Sequence, residues 1–411
     1  MKETRDEGLS LKQNMFWNSF GSLAYLGCQW LITVLVVRIT DGYGVAGTLS
    51  LAMSIYNMFS ALALYRMYTY QVSDVHHENT VGEYFGFRVV TCIIALICIL
   101  GYSIITCTPD VIPPIIAYAF YKFASLLIDV LHGLDQQHHR MDYIGKSLTL
   151  QGVISLAVFC VTQLIALSLF VTLICMTAGI IFIGIVFDLP RSSRFEKLAI
   201  SISKKKTWYL LKRCFPIVVA AVACGAAPSI PRQILSALDG TTALGIYASV
   251  AAPVTIIQMG ASYIYNPLLG YFSEAYADRN MNQLASLLLK ASTGIAALGV
   301  IAAIALGLFG KPLLTLMFGN SIAPYAYLMM PVIVCSMITA YVWFLNDVLV
   351  ALRHFKGSFI GNVCAAALSI PAACAFIPQF GMNGVSFATI AAYTISAFIM
   401  LVTLLKMFRS Q

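Results

Sequence analysis

A chain of 411 residues that is 60% hydrophobic and only 10% charged cannot have water as its main solvent, because soluble domains carry roughly 25% charged residues. The formal net charge of +8 raises nucleic acid as a partner, but the basic residues fall in short loops between apolar runs, which excludes a nucleic-acid face and points to membrane topology. Eleven cysteines lie scattered without C-x-x-C spacing, so no zinc or redox site is expected, and the N-terminal MKETRDEGLSLKQN lacks the pattern of a secretory leader.

A bilayer core takes about twenty apolar residues per helix. The first predicted helix, 15–37, carries Asn14, Asn18, Ser22, Tyr25, Gln29 and Thr33 within about 100° of arc, a polar stripe at helical spacing. The second, 43–66, with the residues just after it, sets Ser50, Ser54, Asn57, Tyr65 and Tyr68 on one face and ends at Arg66, and the third, 85–106, opens at Arg88. In the fourth, 112–132, Tyr118, Lys122, Ser125, Asp129 and His132 recur at i, i+4, i+7, i+11 and i+14. A central Lys costs roughly 2.5 to 3.5 kcal/mol on insertion scales and marks a use for its charge. The alternative is an internal pair of Lys122 with Asp129, two turns away.

The fifth and sixth helices, 147–165 and 168–187, divide one long apolar stretch at the polar dip TQLIALS. The longest hydrophilic loop follows, from Asp188 to Arg213, and holds the basic run SKKKTWYLLKR. In the seventh helix, 211–237, the segment PSIPRQ places Arg232 beside Pro228 and Pro231, whose missing backbone donors are expected to break or kink it. The eighth, 243–265, shows Tyr247, Thr255, Gln258, Ser262 and Tyr265. The ninth, 284–307, is plain, the tenth, 324–347, carries Ser336, Thr339, Trp343 and Asp347, and the eleventh and twelfth occupy 357–377 and 383–405. Any single Ser or Thr among these reads as helix-to-helix glue.

Loop charge tests the count. Twenty-one Lys and Arg fall on the side of the N-terminus and only Arg38 and Lys311 on the other, with Lys122 and Arg232 left inside spans. By the positive-inside rule both termini are expected in the cytoplasm. The fold class is thus all-α and integral to the membrane, with about twelve helices. TDGYGVAGTLSLA from Thr40 and LDGTTALGIYASV from Leu238 align without gaps, Asp41, Gly42 and Gly47 matching Asp239, Gly240 and Gly245. This repeat predicts two parallel six-helix lobes, 1–190 and 214–411, joined by a basic cytoplasmic linker, 191–213.

Such lobes enclose a central path, and the basic groups facing it exceed the acidic ones. Arg66 and Arg88 are expected at the cytoplasmic entrance, and Arg232 and Lys122 inside, with Asn18, Asn57 and Gln258 as polar contacts. A basic cavity in a low-dielectric wall attracts an anion, a phosphate above all. Asp129 and Asp74 are the carboxylates available for ion coupling. The pairs His76-His77 and His138-His139 read as solvated loop residues, with no ligand set of metal spacing beside them. No G-x-x-x-x-G-K-[ST] pattern occurs, which argues against ATP hydrolysis.

The segments LKQNMFWNSFGSLAYLGCQWLITVLVVRITDGYGVAGTLSLAMSIYNMFSALALYRMYTYQVSD and LDGTTALGIYASVAAPVTIIQMGASYIYNPLL resemble polysaccharide transporters of the O-antigen flippase type, of the superfamily that also holds MATE drug exporters and the lipid II flippase. The resemblance implies transport of an undecaprenyl-pyrophosphate-linked oligosaccharide to the outer leaflet of a bacterial inner membrane, coupled to an ion gradient, with no cofactor. It implies membrane lipids and polysaccharide polymerase or assembly proteins as partners, no nucleic acid, and a monomer. Of the basic residues such transporters use on the first, second and seventh helices, only Arg66 and Arg232 map here. The first helix carries Asn18 and Gln29 instead, with Lys122 as a substitute on the fourth. The competing readings are a MATE-like exporter, which would call for intramembrane carboxylates, and a membrane glycosyltransferase or polymerase, for which the outer loops are too short.

Overall fold

The structure, a computed structural model, describes residues 8–40, 42–74, 78–201 and 203–409. Lys2, Arg5, Asp41, His76 and His77 lie outside the described residues. All regular structure in the described residues is helical. Eleven helical stretches are long and apolar enough to cross a membrane, and one of them, Ile217–Ala277, is double, because Gly240 (φ 84°, ψ 169°) interrupts it. Among the described residues this gives about twelve spans. Only an internally hydrogen-bonded helix or a closed barrel satisfies backbone polar groups inside lipid.

The first half runs α1 (Leu11–Ile39), α2 (Gly44–Leu64), the short α3 (Met67–Val72), α4 (Val81–Thr106), α5 (Ile112–Gln137), α6 (Met141–Leu164) and α7 (Leu169–Ile183). A π-helical turn, Gly184–Asp188, then leads into α8 (Leu189–Ser192). Capping boxes start α1 at Ser10 and α4 at Thr80, where hydroxyl and N3 side chain satisfy each other's backbone donors. The TQLIALS dip is a true boundary: α6 ends before Ala166, whose φ of 57° no helix tolerates.

The second half comprises α9 (Lys204–Tyr265), α10 (Leu269–Ala277), α11 (Met281–Phe318), α12 (Met329–Ala351), α13 (Phe355–Phe380) and α14 (Asn383–Arg409). Two expectations change here. The basic run is not loop, because α9 already begins at Lys204, with the Ser203 hydroxyl accepting from the Lys206 amide. Nor do Pro228 and Pro231 break the helix, which stays helical through both. The carbonyl that Pro228 frees one turn back, on Cys224, accepts instead from the buried Tyr393 hydroxyl at 3.3 Å. A neighbouring helix thus supplies the donor that proline removed.

The chain forms two compact units, Met1–Thr40 with Phe59–Val218, and Asp41–Met58 with Val219–Gln411. Both boundaries within the elements fall inside helices, in α2 and α9. In the first unit α1 lies along α6, and Gly21 and Gly145 permit it: a Cβ on either would overlap the other helix's backbone. In the second, the Gly44–Met58 part of α2 packs on α9. Ser54 donates to the Ser229 carbonyl at 3.0 Å, and a Cβ on Gly47 would overlap the Thr241 carbonyl just as one on Gly245 would overlap that of Tyr43. Large apolar side chains such as Ile97 and Ile104 on α4 and Ile301 and Leu308 on α11 stay exposed, the surface expected against lipid.

Candidate functional site

The α5 stripe organises the first unit. Lys122, about 15 Å along its helix, is half-buried. Its ammonium donates to the Gln29 side-chain oxygen at 3.1 Å and the Tyr25 hydroxyl at 3.3 Å. The rings of Tyr121, Tyr118 and Tyr25 stand 5.0, 5.5 and 5.6 Å from Nζ, a three-sided aromatic frame. Gln29 in turn donates to the Tyr121 hydroxyl (2.8 Å), which donates to Ser155 (3.0 Å). Two of the three ammonium donors are therefore taken by neutral oxygens. Among the described residues no carboxylate pairs with it.

Asp129 does not pair with Lys122. It accepts from the Arg88 guanidinium at 3.2 Å, and Arg88 also donates to the Ala63 and Leu64 carbonyls at 3.0 and 2.7 Å. Placed at the entrance by sequence, Arg88 is in fact wholly buried, tying the last turn of α2 to α5. Proximity in sequence misled here: helical spacing puts Lys122 and Asp129 on one face, but a guanidinium from α4 reaches the carboxylate first.

Farther along α5 a second network leaves the stripe. Ser125 donates to Gln151 (2.7 Å), Gln151 to Ser147 (3.1 Å), and Ser147 to Asp188 (3.0 Å), whose other oxygen meets His132 at 3.3 Å. Tyr121, Gln151, Ser155 and Asp188 were not among the candidates. Asp188 sits in the π turn, whose extra residue per turn rotates it inward, so α-helical spacing could not assign it. Asp135 was also missed, although one further step of three from His132 reaches it.

Arg66 lies exposed at the break between α2 and α3, in the left-handed region with φ 56°. Asn18 is half-buried on α1 and without a hydrogen bond among the described residues; Asn14, on the same stripe, instead locks α1 to α6 through the Leu9 carbonyl (2.9 Å) and the Met141 amide (2.8 Å). Asp74, in the loop after α3, accepts from Tyr84 (2.6 Å) and from the Glu78 and Asn79 amides (3.0 and 3.1 Å). Burial raises its carboxyl, but these bonds outweigh burial and hold it below the usual carboxylate value. His138 is half-buried and stacks on Phe195 with centroids 4.3 Å apart, while His139 is exposed.

In the second unit Arg232 is half-buried on α9, within electrostatic reach of Tyr247, Cys335 and Tyr393. No carboxylate pairs with it among the described residues. Gln258 donates to Ser336 at 3.3 Å, while Asn57 is exposed and its carbonyl lies against Gly225. Asp347 accepts from Tyr265 (3.0 Å) and Asn346 (3.1 Å). Among the described residues, Lys122 in the first unit and Arg232 in the second are thus basic side chains that no carboxylate pairs with.

Residues 11–276 match the polysaccharide biosynthesis protein family. The chain is 22% identical over 298 residues to the capsular polysaccharide biosynthesis protein CapF of Staphylococcus aureus, covering 71% of this chain and 74% of that one. Its fold is similar to that of lipid II flippase MurJ in an inward closed conformation, with a TM-score of 0.74 at 11% identity over 94% of this chain and 88% of that one. It is also similar to a Vibrio cholerae MATE transporter, with a TM-score of 0.61 at 11% identity over 98% and 97% of the two chains. The architecture is therefore an all-α, MATE-like fold with about twelve membrane-spanning helices. With the family match extending over most of its length, this multi-pass membrane protein belongs to the polysaccharide biosynthesis protein family.

Proposed function

We propose that the protein is a flippase that carries an undecaprenyl-pyrophosphate-linked oligosaccharide from the cytoplasmic to the outer leaflet of the bacterial inner membrane, for cell-surface polysaccharide synthesis. The family match and the likeness to CapF and to a lipid II flippase support the substrate class. The observation that carries the reading is Lys122: an ammonium at mid-span, framed by three tyrosines, with one donor unused and no carboxylate to neutralise it among the described residues. A charge so expensive to insert finds its counter-ion in what is transported. Pyrophosphate oxygens suit an ammonium or a guanidinium, and Arg232, in the second unit, is a separate candidate group.

In this reading two six-helix repeats, 1–190 and 214–411, alternate access to the two leaflets, with both termini and the basic segment 191–213 in the cytoplasm. The gapless alignment of the segments from Thr40 and Leu238 supports the repeat, and the loop charges support the orientation. The polyprenyl tail stays in lipid while the head group crosses, and polysaccharide polymerase and assembly proteins take the product. A MATE-like exporter of organic cations is the other reading of the fold. An uncompensated Lys122 repels such a cargo.

The test is reconstitution of the full chain in vesicles with fluorescently labelled undecaprenyl-pyrophosphate oligosaccharide, scored by accessibility on the far face. Lys122→Ala and Arg232→Ala are each expected to abolish transfer while remaining inserted and monodisperse. Full transfer by both variants would exclude the basic site.

A further inference from the structure

We propose that Asp135 binds one exchangeable proton and is the point at which a proton gradient acts on this chain; the second clause rests on the flippase reading above. Asp135 lies near the end of α5 and is wholly buried, and neither of its carboxyl oxygens has a hydrogen-bond partner. The Ser192 hydroxyl beside it, from α8, is likewise wholly buried and unpartnered. An ionised carboxylate offers about four acceptor sites, and leaving them all empty away from water carries the full desolvation cost of a charge. Protonation removes the charge and supplies an O–H that can turn to Ser192. The step is carboxylate plus proton giving carboxylic acid, with no electron transfer and no further reactant.

Asp188 shows the contrast. Its side chain is equally buried, yet Ser147 and His132 occupy its two oxygens at 3.0 and 3.3 Å. One pocket thus holds a carboxylate provided with donors and another with none. The π turn Gly184–Asp188 builds this asymmetry: its extra residue turns Asp188 onto His132, and the chain then continues into α8 to bring Ser192 beside Asp135.

The other charged and titratable groups facing this end of α5 have their own partners. On α5 itself, Asp129 pairs with Arg88 of α4, and His138 stacks on Phe195. From α3, the Tyr68 hydroxyl donates to Gln136. From α6, Asp142 holds Arg140 at 2.9 Å and Lys146 at 3.2 Å. From α8, Arg191 donates to the Phe187 carbonyl at 2.7 Å. No lysine or arginine pairs with Asp135 among the described residues. His132 meets Asp188 at 3.3 Å and lies within electrostatic reach of Asp129 and Asp135. A metal ion is a poorer occupant, because no group of three His, Cys, Asp or Glu among the described residues is arranged to hold one.

The experiment is infrared difference spectroscopy of the full chain in lipid vesicles, titrated with pH. The wild type is expected to show the carbonyl stretch of a buried protonated carboxylic acid. That band should vanish in Asp135→Asn, the isostere of the protonated form, shift in Asp135→Glu, and persist in Asp110→Asn, a control on an exposed loop. No such band, or one unchanged in Asp135→Asn and Asp135→Glu, overturns the proton site. In the same vesicles an imposed pH gradient should speed transfer of the labelled lipid-linked oligosaccharide several-fold in the wild type and not in Asp135→Asn. Equal acceleration in both overturns the coupling. A wild type that shows the Asp135 band but moves no labelled lipid overturns the flippase reading and upholds the proton site.

Discussion

Gly47 and Gly245 meet in a reciprocal crossing: a Cβ on Gly47 would enter the Thr241 carbonyl, and one on Gly245 would enter that of Tyr43. The partners obey the same offset of 198 positions that aligns the two repeats in the sequence. All four residues lie in the second compact unit, so the crossing belongs to its internal packing of α2 against α9. Gly42 and Gly240, the preceding glycines of the repeat, both have positive φ, 134° and 84°, so each copy enters its helix through a turn that a side chain would strain.

From this crossing, Gly47→Ala and Gly245→Ala should each destabilise the protein by about 2 to 3 kcal/mol, the upper range for overpacking, because backbone rather than a flexible side chain must move. The double variant should cost less than the sum, since the first opens the gap that the second needs. Thermal unfolding in detergent checks both statements.

Arg88→Ala should cost about 3 kcal/mol, the lower end for breaking a buried pair because Asp129 is 29% exposed. Adding Asp129→Asn should recover part of the loss by removing the stranded carboxylate. A residue that only met substrate at the entrance would leave the unfolding midpoint unchanged.

Tyr393→Phe leaves the Cys224 carbonyl without its donor and should cost about 1 to 2 kcal/mol. Pro228→Ala restores the backbone donor to the same carbonyl, so in that background Tyr393→Phe should have little effect. The four proteins make a thermal-stability cycle.

Asp74 sets an acid limit. Its folded carboxyl lies below the ordinary value, so its hydrogen bonds contribute fully above about pH 4 and are lost as pH falls through the lower folded value. Asp74→Asn should therefore reduce stability at neutral pH and flatten the decline on acidification. Unfolding temperatures measured from about pH 6 down to about pH 3 would show it.

The span pattern could be read in the sequence because it rests on local physics. An apolar run of bilayer length bounded by charge can only be a crossing, and even the shallow TQLIALS dip coincides with the break at Ala166. The α5 stripe was legible for the same reason. Its chemistry was not: Lys122 and Asp129 share a face, yet Asp129 takes Arg88 from 41 positions away and Lys122 takes Gln29 from 93 away. Asp188 escaped notice because a π turn does not follow α-helical spacing, and the break expected at Pro228 did not occur because a distant tyrosine fills the vacancy.

By itself, then, the sequence determined the membrane as solvent and the helices within it, both consequences of apolar length and residue period. Only the tertiary structure decided which buried charges are compensated. Among the described residues, Arg88 meets a carboxylate and two carbonyls, the Lys122 ammonium meets only neutral oxygens, and neither Asp135 oxygen has a donor. The physical reason is range: desolvation acts on each residue alone, whereas compensation depends on which helices pack together.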